Sequence, residues 1–294
     1  PYHVHLLITF EGRLNSSAMQ KAWATLVGRY PVLRLAFAPT DIAPDFAVIQ
    51  NESTHYYQII NLSGTREQKL EELKNYDFAR PFDLENGPMI RLYEADLGNN
   101  AYALLIANHH LILDGWSMPI LTNELTQLYV VECTGSSTLL APHFSWQQHL
   151  LWLRQQDKVA AITYWKNHLS GLTGPSRLEF GAPEVIAHGM KNIEVELEPL
   201  VQQTFESFAR QYGLTQASLL QGLYALIIAR SNRLDEVVIG SVRNGRSSML
   251  SGIDQGVGLF INTLPLYVRL EPQVELLDWL RFQQTAMSEQ DAHG

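Results

Sequence analysis

His109 and His110, followed at Asp114 by a carboxylate, are the side chains of this chain whose types and spacing best suit chemistry. An imidazole with its ordinary pKa of about 6.5 can take a proton from a nucleophile at neutral pH, and a nearby carboxylate can orient or balance charge. The two histidines stand where an apolar run of strand length beginning at Tyr102 ends and the chain turns through Asp114 and Gly115 toward a helix start at Ser117. Such a join holds an imidazole on the rim of a sheet, where a cleft can reach it. Adjacent residues of a strand face opposite sides, so His109 and His110 cannot both line one cleft. His110, in register with Asp114 and closer to the turn, is expected to do the chemistry. His109 is expected to be a hydrogen-bonded supporting residue. An HxxxD spacing alone is a weak signal. The strand end, the second histidine and the Gly, Trp and helix cap that follow give it its weight.

Other reactive side chains carry less. His3 and His5 share one face of a strand and could bind metal, but no third ligand is spaced to join them, and no metal site is expected. Ser136 and Ser137 lack a nucleophile elbow, and no glycine-rich phosphate loop follows a strand. Cys133 is expected to be inert; as the one cysteine it excludes an internal disulfide, which fits a reducing cytoplasm. A net charge of −9 and scattered basic residues exclude a nucleic-acid surface. No apolar run approaches the roughly 20 residues of a membrane span, so no membrane partner is expected either.

The elements that must position these residues read as alternating strands and helices. His3 to Phe10 reads as a strand, and Asn15 or Ser16 caps a helix to about Tyr30, stopped by Pro31. Val32 to Ala38 reads as a strand that carries Arg34 among apolar neighbours; a buried Arg there needs a partner, whereas one on a solvated face does not. Ala47 to Gln50 and His55 to Ile60 read as a short β pair, Thr65 to Phe78 as a polar helix and Met89 to Glu94 as a strand. Ser117 is a plausible N-cap for the helix after the histidines, and Trp-bearing helices follow at about 144–156 and 158–169. Gly and Pro punctuate 170–183, the best linker in the chain. Beyond it, Ile193 to Leu197 reads as a strand, 199–212 as a helix, Thr215 to Arg230 as a helix apolar nearly all round and therefore sandwiched, and Glu236 to Val242 as a buried strand. A Gly/Ser-rich loop covers 243–258, Leu259 to Leu270 is a strand broken at Pro265, and Val274 onward is helical. The economical architecture is α/β, in two layered lobes. The boundaries expected are 1–172 for the first lobe, 173–192 for the linker and 193–294 for the start of the second. Pro1 in place of an initiating Met, and an end inside a helical pattern, suggest a piece of a longer polypeptide.

NHHLILDGWS resembles the HHxxxDG signature of condensation domains from nonribosomal peptide synthetases. Further segments match the family in its order: GRYPVLRLAF, ARPFDLENGPMIRLYE, YWKNHLSGL and VGLFINTLPLYVRL. The resemblance covers nearly the whole chain, with a departure at the Trp-rich helix ending at Trp152. The family's opening helix and the part that completes its second lobe are not matched. The resemblance implies two chloramphenicol-acetyltransferase-like lobes arranged in a V, the second incomplete. His at position 109 and Met118-Pro119 after the Trp-Ser pair favour ordinary peptide-bond formation over heterocyclisation or epimerisation.

That resemblance implies that the amine of one carrier-bound aminoacyl thioester attacks the carbonyl of another carrier-bound acyl or peptidyl thioester. His110 would act as the base or only orient the amine. His109, Gly115, Arg34 and Asp114 would support it, with Asp114 paired to Arg34. Trp116, Ser117, Gly258 and Asn262 would line the substrate channel. No cofactor is expected on the domain itself: the substrates ride on the 4′-phosphopantetheine of upstream and downstream peptidyl carrier domains, beside an adenylation domain. A coenzyme-A-dependent acyltransferase of the HxxxD type and a catalytically degenerate docking domain are the competing readings.

Overall fold

A computed structural model describes residues 2–38, 46–51, 55–137, 140–172, 174, 176, 194–247 and 249–294. The chain forms two units, one made of residues 1–155 and 246–260, the other of residues 156–245 and 261–294.

The first unit runs β1 (His3–Glu11), α1 (Ser16–Arg29), a 3-10 turn (Pro31–Arg34), β2 (Leu35–Phe37), β3 (Ala47–Ile49), β4 (Tyr56–Ile60), α2 (Arg66–Phe78), β5 (Ile90–Gly98), β6 (Ala101–His109), α3 (Ser117–Thr134) and α4 (Trp146–Gln155). Its four-stranded sheet has the order β1-β6-β5-β4, antiparallel except for the parallel β4 and β5. The β5–β6 hairpin turns at Asn99 and Asn100, both left-handed at φ 53 and 56. Two such residues make the type I′ turn whose twist suits a hairpin, and asparagine tolerates it better than most residues. The turn pairs Gly98 with Ala101, and a bulge at Leu97 then shifts the register by one residue, which brings Asn108 opposite Ile90 and leaves His109 at the sheet's rim.

Side-chain alternation then fills both faces. Ile90, Leu92, Leu104 and Ile106 pack with Trp23 and Leu26 of α1 and Leu121 and Leu125 of α3. Tyr93, Ala95, Ala103, Leu105 and Ala107 pack with Leu73 of α2. Each large apolar side chain fully removed from water contributes about 1.5–3 kcal/mol, so the strands that carry the histidines belong to the best-buried part of the unit. Asn15 accepts from the Ala18 N–H at the start of α1, and Thr65 and Gln68 form a capping box at the start of α2.

The second unit contains α5 (Lys158–His168), α6 (Pro199–Tyr212), α7 (Gln216–Asn232), β7 (Glu236–Arg243), β8 (Asn262–Arg269) and α8 (Leu276–Gln290). β7 and β8 pair antiparallel. Val237, Leu266 and Val268 pack against Ala225, Ala229, Trp279 and Leu280. Gly222 lets α7 approach α8, since a Cβ there would lie 2.7 Å from Leu280 Cδ2.

Several sequence expectations change. Residues 31–34 form a 3-10 turn rather than strand, because Pro31 starts a helical turn, and only Leu35–Phe37 extend. The short strands expected to pair with each other take different partners: β3 pairs with β2, β4 with β5. Residues 194–197 carry no strand, and the expected linker, apart from 174 and 176, lies outside the described residues. α7 is buried on one face only: Leu220, Tyr224 and Ile227 are exposed. β7 alternates between buried and accessible positions rather than lying wholly buried. β8 runs unbroken through Pro265, opposite Gly240; among the described residues β8 pairs with β7 alone, and a proline is tolerated in such an edge strand.

Candidate active site

The loop after β6 is held from both ends. At the strand end, the His109 N–H donates to the Met89 carbonyl at 3.0 Å and the His110 N–H to the Tyr2 carbonyl at 2.8 Å. The Leu111 N–H donates to His109 Nδ1 at 3.2 Å. A ring nitrogen that accepts cannot carry the proton in a neutral imidazole, so this contact assigns the proton to Nε2. Burial, with nearby His3 adding to it, lowers the His109 pKa and favours that neutral form. The ring lies 6.0 Å from Phe82, edge to face, and 6.1 Å from Tyr2. His109 is thus a packed and hydrogen-bonded residue on the α2 side of the sheet. Among the described residues no hydrogen bond or ion pair reaches the His110 imidazole, which is partly exposed.

At the other end of the loop, Asp114 is the hub. It is buried, and its N–H donates to the Gly258 carbonyl at 3.1 Å. Its Oδ1 accepts from the Ser117 N–H at 3.0 Å and the Ser117 hydroxyl at 2.9 Å, and its Oδ2 from the Phe260 N–H at 3.0 Å. Arg246 closes the shell with two nitrogens, Nη1 to Oδ2 and Nη2 to Oδ1, each at 2.9 Å. Burial alone would raise the Asp114 pKa. The Arg246 guanidinium and the Phe260 and Ser117 donors outweigh it, and the pKa lies below the ordinary carboxylate value.

The partner of Asp114 is therefore Arg246, not Arg34. Arg34 ends the 3-10 turn and donates from Nη1 to the Gln50 carbonyl at 2.7 Å, while its own carbonyl accepts from the Gln50 N–H at 3.0 Å. It ties down the end of the β2–β3 ribbon instead of the histidine loop. Arg246 escapes a reading of the sequence because it lies in the Gly/Ser-rich stretch 243–258, which has no hydrophobic period. A long Gly/Ser-rich loop that carries Arg243 and Arg246 is the available signal.

Ser117 does not cap α3 with its hydroxyl as expected. It is the first helical residue, its N–H is taken by Asp114, and its hydroxyl joins the hub. The Gly258 N–H donates to Ser117 Oγ at 3.0 Å, and Oγ lies 2.9 Å from the Gly258 carbonyl. Gly258 packs so closely on Trp146 that a Cβ would lie 2.5 and 2.6 Å from its ring carbons. Ser117 and Gly258 are therefore buried parts of the scaffold. Trp116 is 53% exposed, beside exposed Gly115, at which a Cβ would meet nothing within 4 Å. Asn262 belongs to the second unit, where it opens β8 and accepts from the Thr263 N–H at 2.9 Å. His110, His109, Asp114, Ser117 and Gly258 thus share one loop system of the first unit, while Arg34 serves another.

The His110 imidazole, unengaged among the described residues, thus stands on a loop held at a strand end and by the buried Asp114–Arg246 pair. The family model described as "Condensation domain" matches residues 1–294, and the chain belongs to that family. Gramicidin S synthase 2 of Brevibacillus brevis is 28% identical over 286 residues, which are 95% of this chain and 6% of that protein. Bacitracin synthase 1 of Bacillus licheniformis is 28% identical over 277 residues, 92% of this chain and 5% of that protein. The chain thus spans a small fraction of the length of the curated relatives it matches. Among solved structures, the X-domain from teicoplanin biosynthesis superposes with a TM-score of 0.81 at 21% identity, covering 100% of this chain and 67% of the other. The first condensation domain of the calcium-dependent antibiotic synthetase, in complex with a substrate analogue, superposes with a TM-score of 0.78 at 19% identity, covering 99% and 69%. These likenesses establish the α/β condensation-domain fold. No helix among the described residues is long and apolar enough to cross a membrane.

Proposed function

We propose that this chain forms amide bonds between two carrier-bound substrates in nonribosomal peptide synthesis. The acceptor's amine nitrogen attacks the donor's thioester carbonyl, a C–N bond forms, and the C–S bond breaks. His110 takes the amine proton and returns it to the departing thiolate. The observation that carries this reading is the His110 imidazole, partly exposed and unengaged among the described residues, on a loop where His109, Asp114 and Ser117 are all engaged in structure. A base kept free of internal partners on a rigid support is poised for a proton from outside. Asp114 belongs to the scaffold: both its oxygens are saturated by Arg246, Ser117 and Phe260, and it has no capacity left for substrate.

The substrates would be tethered to 4′-phosphopantetheine on peptidyl carrier domains, next to an adenylation domain, in a cytoplasmic synthetase. Membership of the condensation family and the matched synthases support that setting. The test is single-turnover dipeptide formation with separately loaded donor and acceptor carrier proteins. His110→Ala is expected to keep the native circular dichroism and thermal transition and to lose at least about 100-fold in rate, the usual contribution of general-base catalysis. Undiminished turnover by this variant would overturn the reading. Turnover with a free acyl-coenzyme A and no carrier would replace it with a stand-alone acyltransferase.

A further inference from the structure

His3 and His5 lack a third metal ligand in the sequence, and α2 supplies one in space. Residues two apart on a strand share a face, so both imidazoles of β1 point toward the last turn of α2, where Asp77 is fully buried. His3 Nε2 and His5 Nε2 both contact Asp77 Oδ2, the latter at 2.6 Å. The three candidate ligand atoms lie within 4.8 Å of one another.

We propose that His3 Nε2, His5 Nε2 and Asp77 Oδ2 form a binding site for a borderline divalent metal ion of the Zn2+, Ni2+ or Cu2+ kind. Two imidazoles and a carboxylate are the donor set such ions take, with water completing the coordination. The carboxylate is fixed from behind: its Oδ1 accepts from Tyr93 Oη at 2.7 Å and Arg91 Nη1 at 3.0 Å. Arg91 is held in turn by the carbonyls of Arg80 at 2.7 Å and Pro81 at 3.1 Å. Outer-shell bonds of this type orient ligating carboxylates. Bonds of about 2.0–2.1 Å in a tetrahedron place ligand atoms about 3.3 Å apart. Both rings must therefore withdraw from Asp77, that of His5 by about 0.7 Å and that of His3 by somewhat more, through small side-chain rotations. The His3 and His5 side chains are 13% and 10% exposed and pack on Phe78 and Phe82, so the site borders solvent at the edge of these rings. The Arg91 charge opposes a cation and weakens the site. A bound ion would staple β1 to α2, on the face where His3 stands opposite His109.

The test titrates the chain with Co2+ and then Zn2+. Visible d–d bands saturating at one equivalent of Co2+ and displaced by Zn2+ are expected. His3→Ala and His5→Ala should each weaken binding at least tenfold, with unchanged far-ultraviolet dichroism. Should an alanine variant fail to fold, His3→Gln and His5→Gln preserve a hydrogen bond to Asp77 while removing the imidazole. No bands at one equivalent, or binding unchanged in both histidine variants, would overturn the site and leave the cluster a hydrogen-bonded brace.

Discussion

Arg246→Ala tests the central claim about the histidine loop, that a buried ion pair fixes it. The substitution removes two charge-assisted bonds of 2.9 Å to Asp114 and a further one of 3.1 Å to the Gly256 carbonyl. With the charge centres about 4 Å apart and an effective dielectric constant of about 20, the lost attraction is about 4 kcal/mol. That agrees with the roughly 3–5 kcal/mol typical of breaking one side of a buried pair. The Asp114 and Arg246 side chains are 0% and 5% exposed, so solvent offers little compensation. Against a typical stability of about 5–15 kcal/mol, the loss is severe. The pH dependence gives the sharper signature. In the native chain the Asp114 pKa is lowered, so its contribution is present above the ordinary carboxylate pKa and is lost as pH falls through the folded value. In Arg246→Ala only the Phe260 and Ser117 donors still oppose burial, so the Asp114 pKa rises above its native value, and the variant is penalised most at neutral pH and recovers relative to the native chain as Asp114 protonates. Urea unfolding from pH 7.5 to 4 should show the deficit shrinking on acidification, and dipeptide formation at pH 7 should fall with the loop's order. Native-like stability and activity of Arg246→Ala at pH 7, or a deficit independent of pH, would refute the reasoning.

Two further outcomes follow from the same geometry. Gly258→Ala places a methyl 2.5 Å from a Trp146 ring carbon, and should cost about 1–3 kcal/mol in chemical denaturation as that packing shifts. Burial lowers the pKa of His109, His143, His149 and His168, with Arg29 adding to the effect at His143 and Arg246 at His149. The unfolded chain therefore binds more protons than the folded one below about pH 6.5, and stability should fall as pH drops from about 7 to 5.5. A denaturation midpoint that stays flat over that range would contradict it.

What can be read from the sequence divides along a physical line. β1, α1, α2 and β6 are legible because each is local: a β-rich run, an Asn15 cap, a Thr65 cap, an apolar strand. Period-2 alternation likewise separates His109 from His110, and the structure puts His109 on the α2 face with its Nδ1 engaged. The pairing of Asp114 is not legible, because it joins residues 132 positions apart through a loop without periodicity. The expectation that Arg34, among apolar neighbours, finds its partner in Asp114 overlooks the backbone: Arg34 is satisfied by the Gln50 carbonyl. The same gap hides Asp77 from His3 and His5, 74 and 72 residues away and on a helix that reads as polar surface. Local chemistry thus identifies which residues need partners. Which partner each finds is decided by long-range pairing: the β1–β6 register aligns His3 with His109 and lays both on the face that α2 covers.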